Sequence, residues 1–189
     1  MKLYTRGRFM MAAALLFAAG VAGAVDKNAA VEPRTDTAVA GGVRHEIVMY
    51  ARYSIWDDVN IDVNNGAVHL TGEVTQPVKK EEIGRLAKDV AGVTGVRNDI
   101  RVLPLSPSDD RLRLRIARAI YGDPSMTKYA IQPLKPIHIL VENGHVTLAG
   151  VVNNQLDKQI AGMRASGAGM SFGPVVNNLQ VEHPPVKKS

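Results

Sequence analysis

The 189-residue sequence contains no cysteine. Disulfides are therefore excluded, and so is a lipid anchor on a cysteine at a leader cleavage site. Aromatic residues make up only 5%, so any core must be mainly Val, Ile, Leu and Ala. After the N-terminal segment, no apolar run reaches the roughly 20 residues that cross a bilayer. No Gly-x-Gly-x-x-Gly or Walker-type string follows a strand, and there is no Ser or Cys nucleophile motif and no repeated carboxylate pair. The histidines His45, His69, His138, His145 and His183 lack ligand spacing with one another or with a carboxylate on one element. No enzyme, metal or cofactor is expected.

What is present starts with the N-terminus. Lys2, Arg6 and Arg8 precede an apolar run from Phe9 to Val21, followed by the small-x-small string Ala22-Gly23-Ala24. This three-part plan predicts a secretory signal peptide over 1–24, cleaved after Ala24. A membrane anchor is the alternative, but the run is short for that. The formal charge of +5 shrinks accordingly. Without the leader's three basic residues, 20 of 23 remain against 18 acidic ones, or +2. A global electrostatic case for nucleic acid largely disappears. The expected mature protein is soluble and periplasmic. Residues 25–42 are small and polar, without period, and predict a flexible leader. Residues 184–189 predict a basic tail.

Between these ends the sequence repeats. Ile61, Val63, Asn65, Gly66, Val68, Leu70, Gly72 and Val74 fall on Ile139, Val141, Asn143, Gly144, Val146, Leu148, Gly150 and Val152, all 78 residues later (139 − 61). Val96-Arg97-Asn98 falls on Val175-Val176-Asn177 at 79 (175 − 96), so one residue is inserted between. Apolar residues alternate on either side of each Asn-Gly, which predicts a β-hairpin. A helix is expected over 78–91, with Val78, Ile83, Leu86, Ala87 and Val90 inward and Lys79 outward. A shorter one is expected over 155–166, weakened by Gly162. Third strands are expected over 99–103 and 178–182. A helix precedes each hairpin, over 44–55 (Ile47, Val48, Ala51 and Ile55 inward) and over 109–121 (Leu112, Ile116, Ala119 and Ile120 inward, Ser108 or Asp109 as N-cap). The fold class is α+β, two tandem αββαβ modules, each a three-stranded sheet with two helices on one face. Module one is placed at 43–103, a linker at 104–108 and module two at 109–183.

The hairpin around Asn-Gly, the Gly-x-Val that follows, the helix, Gly92-Val93 and the Val-x-Asn before the last strand form a specific string. It resembles the BON domain, named for bacterial osmotically induced periplasmic and nodulation proteins. The stretch from Gly169 to Pro174 departs from the family's shorter turn. The resemblance implies a non-enzymatic periplasmic module that binds phospholipid or envelope partners, linked to osmotic stress and envelope integrity. It also implies a lipid surface centred on the first helix of the second domain.

That helix carries the best candidate site. Arg111, Arg115 and Arg118 share a face by i, i+4, i+7 spacing, opposite its apolar side. Arginine forks suit phosphate, so these three are the expected contacts to anionic lipid headgroups. The alternative is a solvated outer face. Tyr50, Tyr53 and Trp56 suit either a membrane interface or packing, between the modules or over the open side of the sheet. Two functions are weighed. One is peripheral association with anionic phospholipid, without a transmembrane span. The other is a protein-interaction or chaperone-like stress module binding an envelope protein through exposed sheet edges and the groove between modules. The sequence assigns no oligomeric state.

Overall fold

The computed structural model describes residues 35–169 and 171–182. The expected signal peptide and C-terminal tail lie outside them, as do His183 and most of the expected leader. The first helix, α1 (Asp36–Met49), begins inside that leader and ends well before residue 55. Thr35 caps it, and Val39, Val43 and Ile47 form its buried stripe. The two glycines at 41 and 42 mask this i, i+4, i+8 pattern in the sequence. Ala51 is exposed and Ile55 lies beyond the helix.

The hairpin follows as β1 (Asp58–Asn64) and β2 (Ala67–Val74), paired antiparallel from Asp58↔Glu73 to Asn64↔Ala67. At its tip Asn65 and Gly66 have φ of 49° and 77°, the left-handed pair that a tight hairpin turn needs. The Asp36 carboxylate accepts from both of their backbone N–H groups at 2.8 Å. The turn is therefore pinned to the first turn of α1. Helix α2 (Pro77–Lys88) crosses back over the sheet. Its inward face is Ile83, Gly84 and Ala87 together with Lys79, while Val78 is exposed. The expectation for Lys79 and Val78 is thus reversed, because Lys79 has a buried anion to meet.

The third strand starts earlier than expected and is broken. β3 (Gly95–Asn98) and β4 (Arg101–Val102) both run parallel to β2, in line with each other. At the break the Asn98 side chain donates to Lys80 O at 2.8 Å and accepts from Ile100 N at 3.2 Å. One asparagine thus serves both the sheet and the helix above it.

The second module repeats this plan with α3 (Pro107–Tyr121), β5 (Ile137–Glu142), β6 (His145–Val152), α5 (Gln155–Gly167), β7 (Val176–Asn177) and β8 (Gln180–Val181). The cap of α3 is Ser106 with Pro107 as the first helical residue. Asp109 is free to accept from Asn143 N at 2.9 Å and Gly144 N at 2.8 Å, as Asp36 does in the first module. The longer connection before β5 carries a 3₁₀ turn, Pro124–Met126, and the short helix α4 (Thr127–Ala130). These deliver Met126 and Tyr129 to the second core, around Ile116, Ile120, Ile139 and Leu148. The first core is built on Val43, Leu70, Ile83 and Ile100.

Each helix after a hairpin carries a glycine where a strand asparagine lies. A Cβ on Gly84 would stand 2.6 Å from Asn98 Nδ2, and one on Gly162 would stand 2.8 Å from Asn177 Nδ2. Gly162 therefore seats a side chain. Asn177 donates to Lys158 O at 2.8 Å from that seat.

Both modules lie in one compact unit, joined by residues 54–57. Asp57 is fully buried and accepts from Ser54 N (3.0 Å), Ser54 Oγ (2.8 Å), Thr75 N (3.0 Å), Thr75 Oγ1 (3.1 Å) and Lys79 Nζ (2.7 Å). So anchored, the segment offers Ile55 O to Ile139 N at 2.7 Å, and Trp56 packs against the second module's core. Side chains cover further groups of the β5 edge. Tyr121 Oη donates to Ile137 O at 2.6 Å and accepts from Ile137 N, and Arg113 donates to Val141 O. Much of this strand's edge is thus covered by its own first helix and by the first module.

Lys79→Met strands the buried Asp57 charge and should cost about 3–5 kcal/mol in denaturant unfolding. Gly162→Ala should destabilise by about 1–2 kcal/mol despite better helix propensity, because overpacking outweighs it. Gly167→Ala, where a Cβ meets nothing within 4 Å, should be neutral or stabilising in the same assay.

Candidate functional site

Helix α3 divides its four arginines between two jobs. Leu112, Ile116 and Ile120 bury one stripe against β5 and α5. Arg113 lies on the edge of that stripe, 4% exposed, and donates to Val141 O and Asp110. Arg111, Arg115 and Arg118 are all exposed, on one face, as the spacing predicts. Leu114 stands among them, 47% exposed. Among the described residues none of the three forms an ion pair, whereas Arg85, Arg97, Arg101, Arg113 and Arg164 each do. The result is a stripe of three available guanidinium groups on a rigid helix. Such a stripe can hold phosphate oxygens.

The neighbourhood of the stripe is apolar at several points. Helix α5 packs beside α3, and Met163 is exposed next to Arg118. Arg164, on the same rim, is bonded to Asp123 through Nε. Asp123 also accepts from Ser125 Oγ at 2.5 Å and Ser125 N at 2.8 Å, and these bonds, with Arg164, hold its carboxyl below the usual carboxylate range. Arg115 lies over the glycine turn after α5, its guanidinium 3.1 Å from where a Cβ on Gly169 would stand.

The first module has no such surface. Asp36, Val39, Val43 and Ile47 play the parts of Asp109, Leu112, Ile116 and Ile120, an offset of 73 (109 − 36). By that register Arg111, Arg115 and Arg118 correspond to Ala38, Gly42 and His45. The basic stripe belongs to the second module alone.

The aromatic group at the end of α1 takes its packing role. Trp56 lies against the second core, and Tyr50 and Tyr53 lie against the first. The Tyr53 ring is 5.6 Å from that of His138, and burial pushes the Tyr53 phenol well up. Around them runs a cleft of about 540 Å³ between the modules, with Val48, Ile55, Leu134 and Pro136 on its walls. His69 is only half-buried on its strand, its Nε2 2.8 Å from Asp99 Oδ2.

A family model for the BON domain matches residues 35–104 and again residues 108–182. The chain belongs to the BON domain family. Its two BON domains are the two modules, and the αββαβ plan and its repetition are as the sequence led one to expect. No curated protein matches the chain closely enough to count as a relative. Among solved structures, CdsD, a structural protein of the type III secretion system of Chlamydia trachomatis, matches at 15% identity. The match covers 75% of this chain and 60% of that one, with a TM-score of 0.30. The C-terminal domain of CdsD matches at 13% identity over 79% of this chain and 67% of its own, again with a TM-score of 0.30. At that score the likeness carries no argument about arrangement or role.

Sequence reasoning found the arginine face but missed what surrounds it. Leu114 and Met163 could have been found by asking which apolar residues fall off the buried stripe of their helices. The Asp123–Arg164 pair joins residues 41 apart, and nothing in their spacing marks it.

The Asp123 pairing gives a pH test. Its folded-state pKa is depressed, so its stabilisation is complete above the ordinary value of 3.8 and is lost as pH falls through the folded value. The Tm difference between wild type and Asp123→Asn should therefore be full at neutral pH and close as pH is lowered beneath 3.8.

Proposed function

We propose that this BON-domain protein is a non-enzymatic, periplasmic binding protein that associates with anionic phospholipid at the cell envelope. In this reading Arg111, Arg115 and Arg118 contact the headgroups, and the attachment supports envelope integrity or the osmotic-stress response. The observation that carries it is the exposed face of α3, where three arginines lack ion-pair partners among the described residues and the corresponding positions of the first module are Ala38, Gly42 and His45. A solvated outer face needs charge, but not three like charges in one stripe in one copy only. Family membership adds weight, since the BON resemblance implies phospholipid or envelope binding. No helix among the described residues is long and apolar enough to cross a membrane, and in this reading the contact is peripheral.

Each arginine near an anionic surface contributes about 1 kcal/mol. Replacing all three by Glu should therefore lower the partition onto phosphatidylglycerol vesicles at least about 100-fold. The measurement is flotation of the mature chain with vesicles of phosphatidylglycerol or of phosphatidylcholine alone. Binding is expected only to the first, weakening as salt shortens the screening length from about 10 Å at 0.1 M to about 3 Å at 1 M. Equal flotation of wild type and the triple variant would sink the reading.

The inter-module cleft favours a second reading, a protein-interaction or chaperone-like stress module. Its walls are largely apolar, and Leu134 on them is 54% exposed. This reading predicts crosslinking to an envelope protein without flotation.

A further inference from the structure

The inserted residue that breaks the repeat is placed by the structure. In the first module Thr94 N donates to Gly66 O at 2.9 Å, closing the connection after α2 onto the hairpin tip. In the second, Phe172 N donates to Gly144 O at 3.1 Å. Both pairs are 78 apart (144 − 66 and 172 − 94), so Phe172 is the counterpart of Thr94 and the insertion follows it. The Thr94 side chain lies against Gly66, and the Phe172 ring lies across Gly144 in the space a Cβ would need.

The two side chains differ in what they offer to solvent. Phe172 is 83% exposed. A lone exposed apolar residue needs no explanation, but this one is set by its surroundings. Its ring covers a hairpin tip whose N–H groups are held by Asp109 in the first turn of α3. Three residues earlier in its own loop, Gly169 lies under the Arg115 guanidinium. Phe172 therefore lies over the hairpin tip that the start of α3 clamps, in the same loop whose Gly169 touches Arg115. Where module one has Thr94, and Ala38, Gly42 and His45 on its first helix, module two has Phe172, and Arg111, Arg115 and Arg118.

We propose that Phe172 is the apolar anchor of a bilayer-docking surface, entering the interfacial layer of an anionic membrane while Arg111 and Arg115 hold headgroup phosphates. The inference rests on the reading of the arginine face as a lipid-binding surface, and adds to it. Charge alone gives attachment that salt dissolves. An aromatic ring placed in the interface adds a contribution that salt does not screen, because it comes from apolar area removed from water. Commitment to a bilayer rather than a free phosphate ligand follows from this pairing. A soluble anion has no use for an exposed phenyl ring in the loop that touches Arg115.

The chain has no cysteine, so a single introduced thiol takes an environment-sensitive dye at one place only. With phosphatidylglycerol vesicles, dye on Phe172→Cys should shift to the blue, and dye on Thr94→Cys should stay water-like. In flotation, Phe172→Thr, the residue the first module uses here, should bind like wild type at low salt. At high salt it should retain about tenfold less protein than wild type, and Phe172→Trp should retain at least as much. Unchanged thermal melting of Phe172→Thr would confirm that the loss is not one of folding. If wild type floats but dye at 172 stays water-like and Phe172→Thr matches it at every salt, the anchor is overturned and the arginine reading stands. Equal blue shifts at 94 and 172 would also overturn it. If wild type does not float on phosphatidylglycerol vesicles, both fall.

Discussion

Asp57 ties the first module's hairpin, the helix after it and the strap to the second module into one unit. It is fully buried, and an ionised carboxylate survives there because five donors meet it, one of them the Lys79 ammonium. Thr75 and Lys79 tie it to the end of the hairpin and the start of α2. Ser54 ties it to the segment that leaves α1. With that segment fixed, Ile55 reaches the edge of β5 and Trp56 reaches the second core. Two small modules with few aromatics and no disulfides become one body through a short strap whose geometry a buried ion pair sets.

The second module solves the same local problem with the chemistry rearranged. Thr75 and Lys79 correspond by the 78-residue offset to Asn153 and Asp157. In place of Asp57 stands the Tyr129 hydroxyl, which accepts from Asn153 N and donates to Asp157 Oδ2, both at 2.7 Å. Burial pushes this phenol up to about 12, so it remains a donor across the working pH range. Lys128 meets Asp157 from the solvent side at 2.7 Å. The site demands a hydrogen-bonded link between the approach to the hairpin and the following helix. It does not demand a particular sign of charge. The repeat thus keeps geometry where the backbone needs it and lets side chains diverge elsewhere. The arginine face of α3 and Phe172 are products of that divergence.

Legibility in the sequence followed the range of the interactions. The hairpins were plain, because alternation and Asn-Gly act over a few residues. Helix α5 was read nearly to its ends, and the exposed face of α3 was read correctly because helical spacing alone places Arg111, Arg115 and Arg118. The start of α1 was missed because Gly41 and Gly42 dilute its apolar stripe, and the Val90 side chain, which crowds the space a Cβ on Gly42 would need, is far along the chain. Gly162 was read as a weakness, since its reason is an asparagine 15 residues later (177 − 162).

By itself, then, the sequence determined two copies of one α+β module, their strand and helix order, and a basic face on the second copy. Each depends on periodicity or on comparison of one stretch with another, and both are properties of the linear chain. Only the tertiary structure decided that Lys79 turns inward, that Trp56 belongs to the neighbouring module's core, that Asp36 and Asp109 clamp the hairpin tips, and that Phe172 lies exposed across the second of those tips. These are contacts between residues far apart in sequence. Burial and hydrogen-bond satisfaction select them once the chain has closed, and no local pattern encodes them.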